Sequence, residues 1–404
     1  MRVPRLTFAL LLLACPALAQ TPALSWAVDS IHSTKLGETR ALYVATPADY
    51  NVSKDRYPIL ILLDADDQPQ FMAAIANMQF LASRNAIPGL IIVGVPNGKD
   101  RTHDMTPPAR GATTKSFPTA GGADTFASFL LDEVVPTVRA KYRALPTTVL
   151  AGHSFGGLFA VHVAATRPGA FTGIVAMSPS LWWNDSTDVP RYADAIGRSA
   201  ARTRLFASSG GLEPPIDITT RRFEARLDSI KPATLAFGVR HYPEDTHGLT
   251  PEPSLIDGVR YIFQPISLIN APVMAIANHD SATIVRAYVA TESTYAAGAR
   301  SLGMPEQLPE MQVNNFGYAV LQGFNLPKVA AWVFRRNVAN YPSSPNVYDS
   351  LGDALLAAGD SVQAKTEFRM ARDVAIRVGQ KPSAETLKKL ESLEHPVQAG
   401  TRKP

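Results

Sequence analysis

Thr147-Thr148-Val149-Leu150-Ala151-Gly152-His153-Ser154-Phe155-Gly156-Gly157-Leu158-Phe159-Ala160-Val161-His162-Val163-Ala164-Ala165 is the stretch that decides the fold. An apolar run leads into Gly-x-Ser-x-Gly, and a small-residue helical pattern follows. The order predicts a strand, a tight turn and a helix. A serine at the apex of such a turn needs a strained backbone, and flanking glycines remove the Cβ clashes that would forbid it. The Ser154 hydroxyl then stands clear of the sheet, and the N–H of Phe155 points to where an oxyanion would form.

Outward from that turn, apolar runs alternate with amphipathic segments over residues 30–250, the pattern of a sheet covered by helices. Strands are expected at Arg40–Ala45, Pro58–Leu63, Leu90–Val95, Thr147–Ala151, Gly173–Ala176, Arg204–Ser208 and Leu235–Tyr242. Helices are expected at Gln70–Ala82, Ala123–Tyr142, Leu158–Arg167 and Thr219–Ser229. Ile59-Leu60-Ile61-Leu62-Leu63 and Leu90-Ile91-Ile92-Val93 read as strands buried on both faces. Functional groups should gather at the carboxyl ends of the parallel strands.

Beyond Ile266–Ala271 the pattern becomes helix after helix. Asn315-Phe316-Gly317-Tyr318-Ala319 resembles Ser350-Leu351-Gly352-Asp353-Ala354, and Ala330 and Phe334 recur as Ala364 and Phe368, 34 residues on. That period is the one of the tetratricopeptide repeat, two antiparallel helices per unit. Ser281–Leu302 and Ala384–Leu393 would cap the pair. Two units are few for an independent array, so the module is expected to pack on the sheet domain or on a second copy.

A serine hydroxyl is a weak nucleophile and needs a base, which needs an acid to fix its tautomer. In this kind of fold the order is Ser, then Asp or Glu, then His. Of eight histidines, only His241 and His247 follow the turn within the sheet region, apart from His162 on the helix after it. His241 sits inside an expected strand. His247 lies in the polar loop after it and is the candidate base. The acid is expected in Ser209-Gly210-Gly211-Leu212-Glu213-Pro214-Pro215-Ile216-Asp217, where Glu213 is preferred and Asp217 is the alternative, with Asp185 and Asp188 less favoured. The second oxyanion donor is expected from Asp64-Ala65-Asp66-Asp67, as the N–H of Asp66. The carboxylates there would cap the next helix. A metal site from them lacks a histidine cluster in support, so no metal and no cofactor is expected.

The chain has 404 residues, 46% hydrophobic and 18% charged, enough for one large domain and a smaller one. Arg2 and Arg5, the apolar Leu6–Ala14 and Ala17-Leu18-Ala19 read as a secretory leader over residues 1–19. Leu12-Leu13-Ala14-Cys15 offers the lesser reading of a lipoprotein box. Cys15 is the only cysteine, which excludes cysteine nucleophiles and cysteine metal sites from the mature chain. The net charge of +4 is not a basic surface: residues 21–270 hold 23 Lys+Arg and 23 Asp+Glu. No nucleic-acid footprint is expected, and no transmembrane span after leader cleavage.

Leu62-Leu63-Asp64-Ala65-Asp66, Ile92-Val93-Gly94-Val95, Arg101-Thr102-His103-Asp104-Met105-Thr106-Pro107, the Gly152–Gly157 turn and Ser178-Pro179-Ser180-Leu181-Trp182-Trp183 together resemble one esterase family of the α/β-hydrolases. It includes esterase D, bacterial feruloyl esterases and enterochelin-type siderophore esterases. The resemblance covers roughly residues 25–265 and implies an α/β-hydrolase fold over 25–268; the 34-residue period adds the expectation of an all-α tetratricopeptide-like module over 271–400. It implies Ser154 as nucleophile, Glu213 as acid, His247 as base, and Phe155 and Asp66 as backbone oxyanion donors. Arg101, Trp182 and Trp183 are expected to touch substrate. Two departures stand out: Ala65 where the family often has glycine, and His103 where it often has a second arginine. The implied activity is that of a secreted or periplasmic serine esterase acting on a small-molecule ester, such as a siderophore lactone or an aromatic or acyl ester. The alternatives are an acyltransferase of the same fold, and a retired hydrolase fold whose helical module grips a protein partner.

Overall fold

The computed structural model describes residues 24–51, 53–269, 271 and 280–395. The expected leader, with Cys15, lies outside the described residues. Eight strands form one sheet: β1 Ala27–Ser33, β2 Glu38–Ala45, β3 Tyr57–Leu63, β4 Ile91–Val95, β5 Ala144–His153, β6 Gly173–Met177, β7 Thr203–Gly210 and β8 Leu235–Tyr242. Their order is β1-β2-β4-β3-β5-β6-β7-β8. β1 and β2 run antiparallel at one edge, and every pair from β4 to β8 is parallel. The sheet is that of the α/β class expected from the alternation of runs. β1 is the strand the pattern did not announce. It is an edge strand paired only with β2, and its residues are mostly half-buried or exposed.

All seven residues of β3 and all five of β4 are buried, which is why their sequences are continuous apolar runs rather than alternating ones. Successive side chains point to opposite faces. Leu60, Leu62, Val149 and Ala151 pack with Phe71, Ile75 and Met78 of the helix Gln68–Ser83 and with Val259 and Ile262 of Pro251–Phe263. Ile59, Ile61, Leu63 and Leu150 face the other way, onto Phe155–Thr166 and Asp188–Gly197. The single helix expected over 123–142 is split by a π turn, Phe129–Val134, and Pro136 just beyond has no N–H to give. The parallel pairing Leu62↔Ala151 puts the ends of β3 and β5 side by side. The Asp64 loop therefore lies beside the Ser154 turn.

The carboxyl-terminal part is helical: Ser281–Ser301, Glu310–Tyr318, Pro327–Asn340, Pro345–Ala357, Ser361–Arg377 and Ala384–Glu394. A Cβ on Gly317 would stand 2.3 Å from the Phe334 ring, and one on Gly352 would stand 2.5 Å from the Phe368 ring. The repeated Gly and Phe thus make one contact twice, with helix axes close enough to exclude any side chain at the glycine. These helices share a core with the sheet domain. Tyr288, Tyr295, Ala299, Leu302 and Leu308 pack with Leu60, Ile75, Leu90 and Ile266. The Thr147 hydroxyl donates to the Leu302 carbonyl at 2.8 Å. Gly298 approaches Pro265 so closely that an added Cβ would lie 2.0 Å from its carbonyl oxygen. These contacts sit at the amino ends of the strands. Among the described residues, no helix is long and apolar enough to cross a membrane.

Candidate active site

Ser154 follows the last residue of β5 with φ 59° and ψ −115°, outside the regions open to ordinary residues. Such strain costs on the order of 1–3 kcal/mol and persists only when its surroundings hold it. Here the Ser154 N–H donates to the Met177 carbonyl at 3.0 Å, and its own carbonyl accepts from Leu158 at 2.9 Å and Ser180 at 3.1 Å. A Cβ on Gly152 would come within 2.4 Å of the Gly156 carbonyl oxygen, so the first glycine of the turn is obligatory. The Ser154 hydroxyl lies 3.3 Å from that of Ser180.

Glu213 and His247 meet from neighbouring strand ends, after β7 and β8. Glu213 is the residue just before the helix Pro214–Ile230, and it is buried. Its Oε2 is 2.5 Å from His247 Nδ1. Its Oε1 accepts from the Gly210 N–H and the Ser178 hydroxyl, both at 2.5 Å. Burial alone would raise the Glu213 pKa, but these hydrogen bonds from His247, Gly210 and Ser178 outweigh it and hold the carboxyl below its usual range. An ionised Glu213 places the proton of neutral His247 on Nδ1 and leaves Nε2 as the basic nitrogen. The Thr250 hydroxyl lies 2.7 Å from Ser178 and 3.1 Å from the His247 carbonyl, tying the histidine turn to the acid. Among the described residues no hydrogen bond joins Ser154 to His247. Such contacts often tighten only when substrate binds.

The other candidate acids and base have partners of their own. Asp217 accepts from Arg221 at 2.8 Å and Ser209 at 2.6 Å and lies 3.0 Å from His241. His241 also faces Glu224 at 3.0 Å and Ser209 at 2.7 Å. Asp188 holds Arg110, Arg191 and Asn184.

The N–H of Phe155, first residue of its helix, and that of Asp66 donate to no acceptor among the described residues. The acids around Asp66 have separate duties. Asp67 caps Gln68–Ser83 by accepting from Gln70 N–H at 3.2 Å. Asp66 Oδ1 accepts from the Asn97 N–H at 3.0 Å and side chain at 2.9 Å. Asp64, with φ 59°, binds Asn97 and Arg101. One expectation about substrate contact is corrected here. Trp183 is 1% exposed and sits among Phe117, Phe155 and Trp182, so it is part of the core. Arg101 Nε and Nη2 bond to both oxygens of Asp64, at 2.5 and 2.9 Å. Trp182 is half-buried beside Phe117 and Phe155 and remains in a position to line the site.

Sequence reading did not single out His153. Its ring centroid is 4.3 Å from that of His247, and its Nε2 is buried without a partner. Burial first, and repulsion from a charged His247 second, push the His153 pKa down to about 4. The folded chain therefore holds fewer protons than the unfolded one between the ordinary value of 6.5 and about 4. Stability should fall as pH drops through that window, by up to about 3 kcal/mol from this group. Thermal melts from pH 7 to 4 should show the decline, and His153→Phe should flatten part of it. An unchanged slope in the variant would show that His153 is not the cause.

A family model described as "Putative esterase" matches residues 33–224. The siderophore triacetylfusarinine C esterase of Aspergillus fumigatus is 34% identical over 160 residues, 37% of this chain and 53% of that protein. The siderophore enterobactin esterase of Emericella nidulans is 30% identical over 198 residues, 40% of this chain and 65% of that protein. The chain thus spans 53% and 65% of the lengths of these curated relatives. An IroE-like serine hydrolase from Shewanella oneidensis superposes with a TM-score of 0.58 at 22% identity, over 86% of this chain and 99% of that one. An uncharacterised protein from Capnocytophaga ochracea gives 0.60 at 14% identity, over 92% of this chain and 99% of that one. At these identities the likeness is one of fold.

Proposed function

From a chain whose residues 33–224 match an esterase family model, we propose a serine esterase that cleaves carboxylic esters of small molecules through Ser154, His247 and Glu213. The observation that carries the reading is the buried Glu213 bonded to His247 at 2.5 Å beside a serine strained to φ 59°. Ser154 Oγ attacks the ester carbonyl carbon while His247 Nε2 takes its proton. The oxyanion is held by the N–H groups of Phe155 and Asp66. Collapse breaks the bond to the alcohol, which leaves with the proton from His247. Water, deprotonated by the same nitrogen, then releases the acid from Ser154.

The substrate class proposed is a siderophore ester, supported by the printed activities of the relatives. The half-buried Trp182, Phe117 and Phe155 would contact an aromatic or apolar acyl group. The proposed organisation is a leader over 1–19 directing secretion or periplasmic export, the esterase over 25–268, and a tetratricopeptide-like module over 271–400. The repeated Gly–Phe contact supports the last of these, and the module is the surface proposed for a protein partner or a second copy.

The test is a fluorophosphonate probe with the labelled residue located by mass spectrometry, followed by a siderophore trilactone and a short p-nitrophenyl ester as substrates. A label on Ser154 with release of acid supports the reading. A protein that is neither labelled nor active is a binding scaffold, and one that makes a new ester in place of acid is a transferase.

A further inference from the structure

Arg101 stands where the two segments carrying the oxyanion donors meet. It is the first residue of the short helix Arg101–Met105 and its side chain is 32% exposed. Toward the β3 end, Nε and Nη2 grip Asp64 in a two-point fork at 2.5 and 2.9 Å. Toward the β5 end, Nη2 donates to the His153 carbonyl at 3.3 Å, and the guanidinium carbon lies 5.6 Å from the centre of the Phe155 ring. One guanidinium therefore touches the residue before Ser154, the residue after it, and the loop opposite.

The same carboxylate extends the tie to Asp66. Asn97 Nδ2 is 2.9 Å from both Asp64 Oδ1 and Asp66 Oδ1, and the Asn97 N–H also reaches Asp66 Oδ1, at 3.0 Å. Asp64 itself has φ 59°, a backbone conformation uncommon for residues other than glycine, though less so for Asp and Asn. The chain of contacts runs from Phe155 and His153 through Arg101, Asp64 and Asn97 to Asp66.

We propose that Arg101 is a positioning residue that sets the distance between the two halves of the oxyanion hole, the N–H of Phe155 and the N–H of Asp66. The proposal rests on the esterase reading above. It is distinct from an anion-binding role: the Asp64 carboxylate already pairs with the guanidinium, and the Asp66 carboxylate is close by. Nor is it a role for any cation. The fork needs the planar, two-pronged geometry of guanidinium, which the point charge of lysine lacks. Oxyanion donors act only where charge develops, so their misplacement lowers kcat rather than substrate affinity. Losing one donor costs about 10²–10³-fold, and a shift of about 1 Å costs about 10²-fold.

The test uses Arg101→Gln, Arg101→Lys and Asp64→Asn in the full chain, with a neutral p-nitrophenyl ester and one bearing a carboxylate on its acyl chain. Arg101→Gln is expected to lower kcat about 10²-fold with KM nearly unchanged, by the same factor for both esters. Fluorophosphonate labelling should slow in parallel, and Arg101→Lys should not restore the rate. Asp64→Asn should give a similar loss, and the double variant should be little worse than either. A wild-type kcat in a folded Arg101→Gln overturns the proposal. So does a KM rise confined to the anionic ester, which would make Arg101 a ligand contact. If Arg101→Gln does not fold, the kcat of Asp64→Asn decides. A wild-type protein that neither labels nor hydrolyses overturns the esterase reading instead, a result separate from any of these.

Discussion

Ser154→Ala should lower hydrolysis of a short p-nitrophenyl ester by about 10⁴–10⁶-fold while the protein stays folded. In the proposed reaction this hydroxyl forms the bond to the acyl group, and its neighbour Ser180, 3.3 Å away, stands on another segment without the strained turn and the adjoining Phe155 N–H. The backbone at position 154 is held by Met177, Leu158 and Ser180 through main-chain groups, so alanine keeps the turn. His247→Ala should lose a similar factor. The double variant should be scarcely slower than either single one, because nucleophile and base act as one unit. Residual activity within about tenfold of wild type in Ser154→Ala would remove this residue from the chemistry.

Glu213→Gln should lose about 10³–10⁴-fold, somewhat less than the serine change, because the acid orients and stabilises rather than attacks. All three neighbours of Glu213, namely His247 Nδ1–H, the Gly210 N–H and the Ser178 hydroxyl, are donors. A carboxylate accepts from all of them. An amide has one oxygen, and the position that satisfies most donors is Oε1, which leaves the amide nitrogen facing His247. The ring would then carry its proton on Nε2, where it cannot accept one from Ser154. Asp217→Asn, by contrast, should keep kcat within a few-fold, since Asp217 serves Arg221, Ser209 and His241. Steady-state kinetics on both variants decide the matter. If the loss falls on Asp217→Asn and not on Glu213→Gln, the acid has been misassigned.

The parts of this architecture that were legible in the sequence are those with a pattern. Buried parallel strands write themselves as runs such as Ile59–Leu63, the turn at Ser154 needs its glycine, and the expected pair Glu213 and His247 lies in contact. What stayed hidden depends on partners that no local pattern encodes. β1 pairs on one side only and is poorly buried, so its composition is unremarkable. Ser178, which donates to Glu213, is one serine of many, because a hydroxyl leaves no periodic mark. Arg101 shows only its charge in the sequence, and its bond to Asp64 is made only when the ends of β3 and β5 come together. Trp183 went to the core for a similar reason, its surroundings being supplied by Phe117 and Phe155 from distant segments.

The close seat of Gly298 on Pro265, and the core that Tyr288, Tyr295 and Leu302 share with the sheet, put the helical layer at the pole opposite Ser154. In the proposed esterase, substrate would enter at one pole and any grip on the helices would fall at the other. A molecule gripping the outer helices, or a surface to which they are tethered, leaves the mouth at the carboxyl ends of the strands facing outward. Immobilisation through that pole is compatible with turnover, whereas tethering through the loops near Glu213 and His247 would obstruct it.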